Sequence, residues 1–136
     1  MIARMISRAV IVAAVCAGSA AAQSTVLTSD FNGDWTAGDP SQCVLFRDDP
    51  NFAFRIQDGL FQGLESSCDM NNPVGVLGMG ALLFDMECVG EGENWDYRAL
   101  FMQDGPDHLV FLTDGSSVTL QRCTSSDVPA AALPSK

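Results

Sequence analysis

The sequence predicts an all-β fold: a small antiparallel barrel of seven or eight strands with two disulfides, or, as the alternative, a two-sheet β-sandwich of the same strands. Three observations carry this. Apolar residues recur at every second position, as in Leu82, Phe84, Met86 and Cys88 set against Leu83, Asp85 and Glu87. That period belongs to half-buried strands rather than helices. The apolar runs are separated by Asp58-Gly59, Asp104-Gly105 and Asp114-Gly115, which suit hairpin turns because Gly and, less readily, Asp accept positive φ. Finally, four cysteines follow the first 22 residues, an even set without any C-x-x-C spacing.

Taken in chain order, residues 1–22 read as a secretory signal peptide. Arg4 and Arg8 precede an apolar stretch from Ala9 to Ala17, and Ala20-Ala21-Ala22 before Gln23 forms an A-x-A cleavage site. The 14 residues from Ala9 to Ala22 fall short of the roughly 20 that span a bilayer, and Val15 poorly suits lipidation at Cys16. Cleavage takes the net charge from −10 to −12, because two arginines and no acids are lost. Residues 23–32 are expected to form an unstructured N-terminal extension and 33–123 the barrel. Residues 124–136, rich in Ser, Ala and Pro, are expected to fray. The strands are placed at 33–37, 42–47, 52–57, 60–67, 80–88, 95–103, 108–113 and 117–123. Pro73 to Gly80 should be a crossing or bent strand. The core is expected around Trp35, Phe46, Phe52, Phe54, Ile56, Leu82, Phe84, Phe101 and Phe111.

Composition narrows the function. With 17 Asp and Glu against 7 Lys and Arg, the chain is poorly suited to nucleic-acid phosphates or anionic membrane surfaces. Cys43, Cys68, Cys88 and Cys123 imply a disulfide set in an exported, periplasmic or secreted protein. Cys43–Cys68 with Cys88–Cys123 is the favoured pairing, since each bridge would tie the ends of one local run of strands. No catalytic constellation can be assembled. His108 is the only histidine and is expected to face solvent; the G-x-S-x-G and S-x-x-K patterns are missing. The acidic group Asp85, Glu87, Glu91, Glu93 and Asp96 has oxygen ligands for Ca²⁺ but not EF-hand spacing, so a solvated acidic turn is expected, with no metal and no cofactor.

Gly33-Asp34-Trp35 opens the first strand, and Arg122 lies near the end of the last, on the same face as Val118 and Leu120. A G-x-W on strand one, with an arginine from the final strand stacked on its indole, resembles the calycin barrels. These include lipocalins, avidins and small exported bacterial inhibitors of secreted metalloproteinases. Guanidinium over indole would close one end of a barrel by cation–π contact and packing. The inhibitors are the most similar group: Cys43 and Cys68 match their placement of one Cys shortly after G-x-W and another some two dozen residues on. The resemblance covers Gln23–Cys68. Cys88, Cys123 and the Gly90–Trp95 turn have no counterpart in it. It implies a non-catalytic module whose partner is a secreted or periplasmic protease, with Gln23, Ser24 and Thr25 entering the protease cleft. A barrel carrying one small apolar ligand, or a purely structural periplasmic protein, is the alternative.

Overall fold

A computed structural model describes residues 25–127. The signal peptide assigned to 1–22, Gln23, Ser24 and the tail from 128 to 136 lie outside the described residues. A short 3₁₀ turn, Thr28–Phe31, leads into ten strands. These are β1 Gly33–Thr36, β2 Cys43–Leu45, β3 Phe52–Gln57, β4 Leu60–Gly63, β5 Ser66–Gly75, β6 Ala81–Gly90, β7 Glu93–Gln103, β8 His108–Thr113, β9 Ser116–Arg122 and β10 Ser126–Asp127.

Eight of them close an antiparallel barrel. From β3 to β9 each strand pairs with the next, and β1 closes the ring by pairing with both β3 and β9. Trp35 stands opposite Phe54 on one side and Arg122 on the other. The fold is therefore the expected all-β barrel, with the strand count of eight reached differently. The expected strand 60–67 is two staves, because the chain reverses between Gly63 and Ser66 with Glu65 at φ +51°. The expected strand 42–47 is no stave at all. Its ordered part, β2, lies parallel to β3, with β10 parallel to β2 in turn.

Alternation sends one face of each stave inward. Phe84 and Met86 of β6, Ala99 and Phe101 of β7, Leu109 of β8 and Leu120 of β9 are fully buried, together with Trp35 and Ile56. Most of the aromatic rings pack edge-on or tilted, with Phe84–Phe101 at 5.7 Å and Phe101–Phe111 at 5.0 Å between centroids, while Phe61 stacks on Phe111. Phe54 and Phe111, expected in the core, are half-buried but do pack against it. Phe46 departs further. It packs instead on a small second cluster of Cys43, Leu45 and Ala53 on the other face of β3. Phe52 is half-buried and belongs to neither cluster.

The disulfides are Cys43–Cys123 and Cys68–Cys88, which corrects the expected pairing. One bridge joins the two cysteines nearest in sequence and the other the two farthest apart. Cys68 and Cys88 face each other directly across the β5–β6 hairpin. Barrel closure brings the chain leaving β9 beside β1, where Cys123 donates its N–H to the Asp34 carbonyl. The 124–136 tail is also corrected where it is described. Thr124 bonds the Pro40 carbonyl through both N–H and hydroxyl, and Ser126–Asp127 pairs with Cys43–Val44. Two disulfides in a chain of this size belong to an oxidising compartment rather than the reducing cytosol.

Candidate docking surface at the plugged end of the barrel

The two ends of the barrel differ. One carries the three tight turns at 64–65, 91–92 and 114–115. The other carries the Asp58-Gly59 turn, the 76–80 and 104–107 loops, and the N-terminal segment. That segment is a plug, not the loose extension the sequence suggested. Phe31 is fully buried, its ring 6.1 Å from Phe84 and 5.9 Å from Phe101. Its carbonyl accepts the Trp35 indole N–H at 2.9 Å. No run of alternating apolar residues announced this, because Phe31 is the one apolar residue between Thr28 and Asp34.

Arg122 completes the closure. Its guanidinium carbon sits 4.2 Å from the Trp35 ring centre, as the G-x-W/Arg pattern requires. The same group donates to the Asn32 carbonyl at 2.9 Å and the Pro106 carbonyl at 3.2 Å, with the Asp107 carboxylate at 3.8 Å. Gly33 is needed beneath it, since a Cβ there would run into the Arg122 Nη1. Gln103 ties the neighbouring loop in. Its amide donates to the Asp30 carbonyl, and its N–H to that of Gly80.

Beside the plug runs a cleft of about 720 Å³, with Thr25–Thr28 as one wall and Pro73 with Gly75–Leu82 as the other. None of these residues is charged. The rim is apolar and open to water: Leu77 is 85% exposed, Leu27 56% and Met79 46%, with Val74 at 55% next to Pro73. Several large apolar residues exposed together are unlike singly scattered ones and mark an interaction surface. The stretch from Pro73 to Gly80 is a bent strand as far as Gly75 and a loop beyond it, and does not cross the barrel. β5 runs to Gly75 with a bulge between Asn71 and Val74, and the chain then turns back into β6. The three glycines and missing polar residues of 75–80 were visible in the sequence; that they would meet the N-terminal segment was not.

The other sequence-marked residues are dispersed. Thr25 is exposed and lines the cleft. His108 is exposed at the start of β8, as expected. Asp85 lies on the outer wall, its Oδ1 accepting Arg98 Nη2 at 2.7 Å and Nε at 2.9 Å, and its Oδ2 accepting Asn72 at 3.1 Å. The Arg98 hydrogen bonds, then that from Asn72, hold the carboxyl below the ordinary aspartate range. Glu91 and Glu93 are exposed around the β6–β7 turn. Among the described residues, no three His, Cys, Asp or Glu side chains converge on a point where a metal could sit, and no helix is long and apolar enough to cross a membrane.

Fold and surface together define a class, a disulfide-stapled eight-stranded meander barrel with one end sealed and an apolar cleft beside the seal. The chain matches no protein-family model, no curated protein and no solved structure.

Proposed function

We propose that this protein is a non-catalytic exported module, periplasmic or secreted, that works by contact with another protein at its plugged end. The observation that carries this is the cleft. An N-terminal segment anchored by buried Phe31 forms one wall of an exposed apolar groove on a rigid barrel. Thr25, the first described residue, is therefore exposed at a point fixed beside an apolar surface. A segment presented this way loses less conformational entropy on binding than a free peptide. The resemblance to exported metalloproteinase inhibitors sharpens the reading: Gln23, Ser24 and Thr25 enter a protease cleft, and the new α-amino group approaches the protease's metal. Carriage of a small molecule inside the barrel is less favoured, because Phe31, Phe84, Phe101 and Met86 already fill the interior.

The test is an inhibition assay against secreted zinc metalloproteinases, using protein that begins at Gln23 beside protein that begins at Val26. The longer form should inhibit and the shorter should not, with nearly equal thermal transitions, since Thr25 is exposed. Silence from the longer form overturns the inhibitor function. Equal inhibition by both removes the N-terminal mechanism.

A further inference from the structure

We infer that the cleft at the plugged end receives a short apolar segment of a partner protein flanked by lysine or arginine. This rests on the contact-module reading and supplies the chemistry of the partner.

The cleft's volume lies in the range of sites that enclose a small ligand or a few side chains. Its lining is uncharged and its rim is Leu27, Leu77 and Met79, so the inserted part must be apolar. Strand addition is discouraged. The edge of β5 beyond its last pairing with β4, at Asp69, carries Pro73, a bulge, and Asn72 at φ +49°, all features that blunt a sheet edge. Recognition therefore falls to side chains.

Charge selects what flanks that apolar segment. Between Thr25 and Asp127 there are 17 carboxylates and four arginines. Three of the arginines are engaged within the molecule: Arg55 with Asp34, Arg98 with Asp85, and Arg122 with Trp35 and two carbonyls. The plugged end itself carries Asp30, Asp58, Asp104 and Asp107 against Arg122. Asp30 accepts the N–H of Leu27 on the cleft wall, and Asp104 follows Gln103, which holds Gly80 of the opposite wall. An apolar groove in such a negative field attracts cationic partners and repels a second copy of this chain, whose surface is equally acidic.

The experiment measures fluorescence anisotropy of two labelled peptides with the same Leu/Val centre, one flanked by lysines and one by glutamates. The lysine-flanked peptide should bind at least about ten-fold tighter at low salt, with the gap narrowing as salt is added. Combining Leu77→Ser with Met79→Ser should weaken it about ten-fold, whereas Val89→Ser, exposed at the other end, should not. Both cleft positions are exposed, so the fold survives the change. The inference is overturned by no binding of either peptide, by equal binding of both, or by indifference to the cleft variant. Sedimentation showing self-association that the cleft variant abolishes would assign the groove to a second copy and overturn it too. In the unaltered protein, inhibition without peptide binding defeats this inference alone, and peptide binding without inhibition defeats the inhibitor reading alone.

Discussion

The plugged end and the tight-turn end of the barrel are held by contacts of opposite range. At the plugged end the contacts are long-range in sequence: Arg122 reaches Asn32 and Gln103 reaches Asp30, and on the outer face of β3 the barrel's closure is stapled by Cys43–Cys123. At the other end they are local. Its turns link neighbouring strands, and its disulfide, Cys68–Cys88, spans a single hairpin. Side chains follow the same division. Phe31 and Trp35 are fully buried at the plug, whereas Phe61, Tyr97 and Phe111 face inward but remain half-buried, and Trp95 is exposed. The plugged end is closed by residues drawn from distant parts of the chain, so a binding surface mounted there is anchored by the fold as a whole.

The disulfides give the largest contrast. Chain entropy assigns about 4.5 kcal/mol to a bridge of the Cys43–Cys123 separation, 80 residues, and about 3 kcal/mol to Cys68–Cys88, 20 residues apart. Replacing Cys43 and Cys123 by Ala should therefore cost more in urea unfolding than replacing Cys68 and Cys88. The reverse order would mean that local constraint matters more than closure.

Phe31→Ala comes next. It empties a fully buried site between Phe84 and Phe101, which should cost about 4 kcal/mol. Phe61→Ala removes a half-buried ring in contact with Phe54 and Phe111, and about half that loss is expected. Equal losses would mean that the tight-turn end is as well sealed as the plug.

This contrast also explains what was legible in the sequence. Local contacts write themselves into local patterns. The alternation of β6 and β7 and the Asp58-Gly59 turn, with both residues at positive φ, could be read directly. The Leu64-Glu65 turn was missed because Glu65 adopts left-handed backbone without the Gly or Asn that usually signals it. The Cys43–Cys123 bridge, the burial of Phe31 and the meeting of Thr25–Thr28 with the 75–80 loop all depend on barrel closure, which no window of sequence contains. Gly33, Trp35 and Arg122 are the exception. Their spacing spans most of the chain, and they were found through a resemblance to known barrels.

Arg122→Met tests that closure with a smaller effect. It keeps the aliphatic contact with Trp35 but removes the cation–π interaction and the donors to the Asn32 and Pro106 carbonyls. A loss of about 1–2 kcal/mol is expected. The two tryptophans report the ends separately: in a Trp95→Phe background, Trp35 emission should become more accessible to acrylamide in the Arg122→Met protein. Unchanged quenching would mean that Phe31 seals the end without the arginine.

The smallest effect comes from the tight-turn end. Tyr97 is the only tyrosine, so phenolate absorbance titrates one known group. Burial of its inward-facing ring disfavours the charged phenolate and raises its pKa above 10.0. The direction of the linked stability change follows. A group whose folded pKa lies above its unfolded value contributes stability that is complete below the unfolded pKa and is lost as pH rises through the folded one. The phenolate midpoint should thus lie above pH ~10 in the folded protein and return to the ordinary value in urea. Unfolding stability should decline as the solution passes that range, and the decline should be weaker in Tyr97→Phe. Because Tyr97 is only half-buried, water screens much of the penalty and the shift should stay modest. A folded midpoint equal to the urea value would show that the tight-turn end is open to water down to the level of Tyr97. The division between a sealed and a half-sealed end would then be sharper than the burial of its rings suggests.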